Sequence, residues 1–593
     1  MPVYNAPIRD FEFVLNDYLG LERYQDVAGF SDVGDDLRSA ILQEGGRFCE
    51  EVLFPLNQTG DAQGLKFENG QVTLPDGFVD AYKQYVAGGW PSFACDPKYG
   101  GQGLPEFLNM PVIEMICSAN LSFGITPGLS HGAYNALLLH GAEALKKKYL
   151  PKITTGEWSG VMCLTEPQCG TDLGLIRTTA TENDDGSYAI TGTKIFISSG
   201  EQDATENIIH LVLAKLPDAP EGTKGISLFV VPKVMVDDAG NLGENNNVAC
   251  GAIEHKMGIH ASPTCVMNYE NAKGWLVGTP HNGMKYMFTM MNAARLYVGV
   301  QGLGLAEVAY QNALAYAKER IQGRALTGPV QPQKAADPII VHADVRRMLL
   351  TMRAFTEGAR ALCMEAALKL DLMHRHSDKA VREESDHFIQ LMTPIIKAYF
   401  TDMGSEVANL AMQVHGGYGY ITEYGIEQYV RDARIAQIYE GTNGIQGMDL
   451  IGRKLPYNTG RYLRAFFHPA MAFVEDNRDN SAMAEFTKPL YTHLKYLQQA
   501  SLWLGQKGLS NPNDAAAGAV EYLRMFALVV FAYIWAKQAK IALEKIEHGT
   551  EDKEFYEAKL TTARFYMNKI LPGTLSLLSS ITNGSESVMK AKL

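Results

Sequence analysis

Apolar positions recur at helical spacing in Leu37, Ile41 and Leu42, and again in Met110, Val112, Ile113 and Ile116. This periodicity predicts a mostly helical segment up to about Thr155. Between the two runs, Tyr99-Gly100-Gly101-Gln102-Gly103 reads as a loop, because it lacks the strand–turn–helix setting of a phosphate cradle. From about Glu157 the pattern shortens to β-rich runs: Tyr188–Ile190, Ile195–Ile197, Ile208–Leu213 and Ile226–Val231. Clusters such as Asn183-Asp184-Asp185-Gly186 and Asp237-Asp238-Ala239-Gly240-Asn241 punctuate them as turns. The runs predict a small antiparallel β-domain ending near Gly278-Thr279-Pro280. Helical patterning then returns to about Arg453, Leu455–Gly460 reads as a linker, and a further helical segment closes the chain. The expected fold is mainly α with a central β-domain, with limits at 1–158, 159–280, 281–460 and 461–593.

Composition narrows the class. At 593 residues, with 46% hydrophobic and 20% charged, the chain has room for several domains with large cores. A formal charge of −13 argues against a nucleic-acid-coating or polybasic membrane-binding protein. The longest apolar stretch, Met525–Ala536, falls short of the about 20 residues a membrane span needs. The first twenty residues carry Asp10, Glu12 and Asp17 and show no presequence pattern, so a cytoplasmic protein is expected. Eight cysteines form no C-x-x-C pair, and no Cys/His set has zinc spacing, which predicts inert free thiols and no metal. The ending Ala591-Lys592-Leu593 lies one residue from a peroxisomal address, but three residues match easily by chance.

Three stretches carry candidate chemistry. Met162–Asp172 offers hydroxyls and exposed backbone around Gly170, where several N–H donors could meet an anionic or heteroaromatic ligand. On chemistry alone it reads as readily as a polar turn. Ile195–Gly200 places Phe196 and Ser198 on one strand face, an aromatic plate beside a hydroxyl. An ordinary half-buried strand would look the same. In Arg431–Gln446, Glu440 stands between Ile438-Tyr439 and a Gly-containing turn. Apolar neighbours there would raise its pKa toward that of a general base.

Together these stretches resemble the acyl-CoA dehydrogenase family. The likeness runs in order from about residue 85 to 455. It includes Gly100–Gly103, Lys146-Lys147-Lys148-Tyr149-Leu150, Thr165-Glu166-Pro167, Lys256-Met257-Gly258, Gln413–Gly419 and Tyr439-Glu440-Gly441-Thr442. The N-terminal Tyr4–Asp10 and the long tail look like a larger bacterial subgroup that includes long-chain acyl-CoA and 3-methylmercaptopropionyl-CoA dehydrogenases. The resemblance implies a helical N-domain, a β middle domain, a four-helix C-domain and an extra helical domain. It also implies FAD, an acyl-CoA substrate, an electron-transfer flavoprotein as electron acceptor and a homo-oligomer, most simply a dimer, working in fatty-acid β-oxidation.

Carried over by position, Glu440 is the base that removes the α-proton while hydride passes to flavin N5. Met162, Leu164, Thr165, Thr171, Phe196, Ser198 and Thr442 would contact the flavin, with Arg320, Gln413 and Gly417 reaching the FAD of a neighbouring subunit. Arg295, Tyr439 and Gly441 would meet the substrate. Relatives that place the base before an Arg matching Arg295 have a carboxylate where this chain has Ala294, which cannot act as one. Three positions depart from the common pattern: Phe196 for Trp, Ser198 for Thr and Gly444 for Gln. Gly444 removes one expected side-chain amide. An acyl-CoA oxidase would carry T-E-L-G-H-G-S where this chain reads Thr165-Glu166-Pro167-Gln168-Cys169-Gly170-Thr171. A DNA-binding relative would need a basic tail, and residues 461–593 sum to only +3 without a basic run.

Overall fold

A computed structural model describes residues 2–593, which divide into two compact units. The first comprises residues 47–104 and 119–297, and the second residues 2–46, 105–118 and 298–593.

In the first unit a seven-stranded sheet follows a helical segment that includes Leu121–His140 and Glu143–Thr155. Its strand order is Val248–Ile253, Thr264–Leu276, Tyr188–Ser198, Thr179–Glu182, Asn207–Lys215 and Trp158–Cys163. The seventh strand, Ile226–Pro232, pairs with both Thr264–Leu276 and Asn207–Lys215. The predicted β-runs all lie in these strands, but the sheet is mixed. Trp158–Cys163 pairs in parallel with Asn207–Lys215, which also meets Thr179 in parallel. All six residues of Trp158–Cys163 are buried, as expected of a parallel strand covered on both faces. Its alternation splits the core: Met162 joins Ala133, Leu137 and Met290, whereas Val161 and Cys163 join Phe229, Val231 and Tyr269. A short hairpin, Lys66–Glu68 with Gln71–Thr73, interrupts the segment expected to be helical.

The second unit is helical. Ala343–Arg375 and Lys379–His415 pack against each other, and the tail contributes Arg461–Asp476, Ala484–Ser510, Ala519–Glu547 and Lys553–Phe565. Ala519–Glu547 is long and apolar enough to cross a membrane, but 78% of its most apolar window is buried in protein. Phe531 stacks on Phe355 and meets Tyr399 and Phe400 edge-on, while Trp535 Nε1 donates to Ala354 O at 3.0 Å. A Cβ on Gly358 would come within 2.9 Å of the Phe531 ring, so the bare glycine lets the tail helix seat closely.

Beneath this contact lies a buried charge cluster. Arg360 donates to Asp10 at 2.5 Å, to Glu114 at 2.5 and 2.9 Å, and to Glu307 at 2.9 Å. Lys559, from the tail, donates to Asp10 and to Glu357 at 2.8 Å, and Arg353 donates to Glu357 at 2.5 Å. Burial pushes Glu114 up to about 7 despite Arg360. Burial also opposes ionisation of Asp10, but Lys559 and Arg360 outweigh it and hold Asp10 at about 2.

Two outcomes follow. Lys559→Met takes one cationic partner from each of two buried carboxylates, which keep Arg360 and Arg353, and is expected to destabilise the protein by about 1–3 kcal/mol, read in chemical and thermal melts. Asp10, depressed from 3.8 to about 2, contributes stability that is complete above pH 3.8 and lost as pH falls toward 2. Asp10→Asn should therefore flatten the acid limb of stability against pH, by about 1.4 kcal/mol per pH unit for the one proton removed.

Candidate functional site

In the first unit, three bonds bring the Met162–Asp172 stretch against the Ile195–Gly200 stretch. Ile195 N–H donates to Thr165 O at 2.9 Å, and Lys194 Nζ donates to Leu164 O at 3.1 Å and to Glu166 Oε1 at 2.8 Å. Glu166 also accepts from Thr178 N–H, Thr178 Oγ1, Arg177 N–H and Gln168 Nε2 at 2.6–3.1 Å. Burial opposes this carboxylate's charge, but Lys194 and the other donors hold it at about 2. Main-chain bonds between Glu166 and Cys169 then close a tight turn just before Gly170 and Thr171.

The strand that follows Lys194 does not alternate simply. Its ladder with Thr264–Leu276 slips between Cys265 and Met267, leaving Ile195 and Phe196 opposite Val266 alone. In this bulge Phe196 adopts φ +57° and becomes 58% exposed, while Lys194 stays buried. Phe196 and Ser198 both avoid the core, as expected, but the bulge breaks the parity that would have put Lys194 on their face. Among the described residues, no protein acceptor takes the Thr165 N–H, and the hydroxyls of Thr165, Thr171 and Ser198 have no protein partner. A Cβ on Gly170 would meet only Thr165 Cγ2, at 3.9 Å. Free donors, open backbone and an exposed ring fit a planar heterocycle with a polar edge. Met162 is buried in the strand Trp158–Cys163. Arg295 is also buried, its Nη1 3.5 Å from Asn292 Oδ1 and its guanidinium 5.7 Å from the Phe288 ring. Ala294 packs against the apolar cluster of Met287 and Met290.

In the second unit, Glu440 adopts φ +55° and is partly exposed, followed by Gly441 at φ +85°. A non-glycine residue in this region is strained unless its surroundings hold it there. Three anchors do so. Tyr439 O–H donates to buried Gln301, and burial pushes that phenol's pKa up. Buried Gln446 Nε2 donates to the carbonyls of Glu440 and Gly441 at 3.3 and 3.2 Å. Asn443 donates to Asp402 at 2.7 Å and to Ala398 O at 3.1 Å, while its Oδ1 accepts from buried Lys397 at 2.9 Å. Thr442 Oγ1 caps the helix Asn443–Asp449 by accepting from Ile445 N–H at 3.4 Å.

Arg320 stands at the neck of a loop over residues 321–338, with its guanidinium 5.4 Å from the Tyr418 ring. Buried Asp337 closes this loop by accepting from the N–H groups of Ala325, Val330 and Gln331 and from Arg324. Burial opposes its charge, yet these donors hold it at about 2. Gln413 and Gly417 are exposed. Sequence reasoning missed Lys194, Lys397, Asn443, Gln446 and Asp337. The available signal for Lys397 was a cation inside the apolar run Ile395–Phe400.

Removing the Asn443 anchor should loosen the strained loop. Asn443→Ala leaves buried Lys397 and Asp402 short of a partner, at about 1–3 kcal/mol. Amide hydrogen exchange across residues 438–442 is expected to quicken by roughly ten- to a hundredfold, with exchange in Lys379–His415 much less affected.

Sequence models of the acyl-CoA dehydrogenase N-terminal, middle and C-terminal domains match residues 36–157, 161–272 and 281–455. An acetyl-CoA dehydrogenase C-terminal-like model matches residues 466–592. The chain is 43% identical to a 3-methylmercaptopropionyl-CoA dehydrogenase of Ruegeria pomeroyi, over 100% of both proteins. It is 34% identical to a butyryl-CoA dehydrogenase of Syntrophomonas wolfei, over 98% of this chain and 97% of that one. An acyl-CoA dehydrogenase of Bacillus anthracis, solved with FAD, shares the fold with a TM-score of 0.71 at 22% identity, over 96% and 95% of the two chains. The chain, an oxidoreductase, belongs to the acyl-CoA dehydrogenase family.

Proposed function

We propose that the protein uses FAD to α,β-dehydrogenate an acyl-CoA thioester to the trans-2-enoyl-CoA, with Glu440 as the base. The observation that carries this reading is the Glu440 loop: a partly exposed carboxylate held in a left-handed backbone conformation by Gln301, Gln446 and Asn443. A thioester α-proton is far too weakly acidic for a free carboxylate, so a positioned base must act together with donors to the thioester oxygen. Glu440 takes the α-proton, and its own backbone N–H is the natural protein donor to that oxygen. Bound FAD supplies the acceptor for the two electrons leaving the β-carbon. Thr165, Thr171, Phe196 and Ser198 hold and cover its ring system, Met162 and Leu164 line it through backbone, and Thr442 adds a hydroxyl. Arg320, Gln413 and Gly417 reach the FAD of a second subunit in a homodimer. Arg295, Tyr439 and Gly441 meet the acyl-CoA.

Electrons pass on to an electron-transfer flavoprotein, and the enzyme is cytoplasmic and serves fatty-acid β-oxidation. Domain limits at 1–158, 159–280, 281–460 and 461–593 accompany this reading. A second acyl group, 3-methylmercaptopropionyl, is favoured by the 43% full-length identity to the dehydrogenase named for it.

The test is Glu440→Gln, which keeps shape and loses basicity. FAD and acyl-CoA should still bind, while anaerobic bleaching of the flavin by substrate should slow by at least roughly 10²–10⁴-fold. Adding Ala294→Glu to that variant should restore a little activity. Bleaching at the parental rate in Glu440→Gln removes Glu440 as the base. Running the parent with a chain-length series beside 3-methylmercaptopropionyl-CoA decides the acyl group.

A further inference from the structure

Lys194 is buried, yet part of its hydrogen bonding goes to a main-chain carbonyl. Its Nζ lies 3.1 Å from Leu164 O, and that carbonyl shares a peptide unit with the free Thr165 N–H. The two atoms are electronically coupled, because the peptide C–N bond has partial double-bond character. A cation on the carbonyl oxygen draws density toward it and leaves the N–H more positive, an effect strengthened where water is excluded. The Thr165 carbonyl is occupied by Ile195 N–H, the Thr165 hydroxyl is free and Gly170 leaves the approach open. Lys194 therefore stands behind an outward-facing donor without touching what that donor would meet.

Glu166 fixes the ammonium in place. Four donors besides Lys194 hold its carboxylate, so the ion pair cannot swing away from Leu164. A plain structural staple needs only the 2.8 Å Lys194–Glu166 bond. The additional bond to Leu164 O aligns the cation with a peptide whose N–H is unspent.

We propose that Lys194 is a positioning residue that polarises the Leu164–Thr165 peptide, making Thr165 N–H a charge-reinforced donor that favours the electron-rich, reduced form of the bound flavin ring. This rests on the FAD reading above and adds a residue that tunes the cofactor. It predicts opposite effects at the two ends of one ion pair. Removing the cation weakens the donor, whereas neutralising Glu166 leaves the cation less screened and strengthens it.

The experiment measures the midpoint potential of FAD in the purified holoenzyme by anaerobic dithionite titration against a reference dye, beside a thermal melt. Lys194→Met should melt lower and bind reduced FAD at least tenfold less favourably relative to oxidised FAD. For a two-electron couple that is a fall of about 30 mV. Glu166→Gln, titrated at mildly acid pH because burial lowers the Lys194 pKa and Glu166 is the group that raises it, should hold or raise the potential even though it also lowers the melting temperature. Lys194→Met with Glu166→Gln removes both charges and should recover melting temperature while keeping the lowered potential.

A staple would move stability and potential together. A fall in potential in Glu166→Gln, or a parental potential in the double variant, therefore overturns the proposal. If Lys194→Met alone does not fold, the sign of the Glu166→Gln shift still decides. A parent that purifies colourless and takes up no FAD overturns the flavin reading and this inference with it. A yellow parent with unmoved variants overturns the role of Lys194 alone.

Discussion

Taking an ammonium or guanidinium group out of water costs several kcal/mol per ion, so a buried cation is tolerated only where every polar neighbour is arranged to receive it. Lys194, Lys397, Lys559 and Arg360 all meet that condition. Each fastens segments far apart in the chain. Lys194 joins a strand to the Thr165 loop, Lys397 joins a long helix to the turn after Glu440, and Arg360 with Lys559 joins the N-terminal segment, three helices and the tail. Apolar packing alone would leave those loops free to adopt several shapes of similar energy. A buried cation with fixed acceptors removes that freedom, because any other loop shape leaves a charge unpaired.

The loops so held contain the strained residues. Phe196 and Glu440 both sit at positive φ without being glycine, each beside a segment anchored by a buried lysine. Such a conformation persists only when its surroundings over-determine it. Around Glu440 this is done by Gln301, Gln446 and Asn443, and around Phe196 by the bulge against Val266 and the bonds from Lys194 and Ile195. The strain also does local work. At Phe196 it turns the ring outward while Lys194, two residues earlier, stays buried. At Glu440 it leaves the carboxylate partly exposed between a buried phenol and a capped helix.

Much of this was legible in the sequence. The 3.6-residue periodicity of Leu37–Leu42 and Met110–Ile116 reports helices Asp35–Phe48 and Glu106–Ala119, because a helix that buries one face must repeat at its own pitch. The runs Ile208–Leu213 and Ile226–Val231 report buried strands for the same reason. The parallel pairing of Trp158–Cys163 left no such mark, since a strand buried on both faces has no alternation to read. Nor did the bulge at Phe196, which depends on a register slip against residues some seventy positions away. Glu440 and the Thr165 and Phe196 stretches stand out because the atoms they offer a ligand lie within a few residues of one another. Their supports do not. Lys194 reads as a surface lysine until its partner Glu166 is placed, and Lys397 reads as an interruption of an apolar helix until Asn443 meets it.

The tail follows the same logic of pairing across distance, which decides what kind of domain it is. A detachable module would complete its own core and leave the parent surface polar. Here Phe531 and Trp535 insert beside Gly358 and Ala354, positions that would otherwise expose a bare apolar stripe of the helix Ala343–Arg375. Lys559 supplies charge that helps keep buried Asp10 ionised, and it also pairs with Glu357. Arg9, just before Asp10, lies 4.0 Å from the Phe555 ring and pairs with Asp552 at 2.6 Å, so the N-terminal segment is seated on the tail as well as on Arg360. Removing residues 461–593 would expose apolar surface and take one cationic partner from Asp10 and from Glu357 at once. The second unit is therefore one folding body in which the first and last stretches of the chain complete each other's electrostatics.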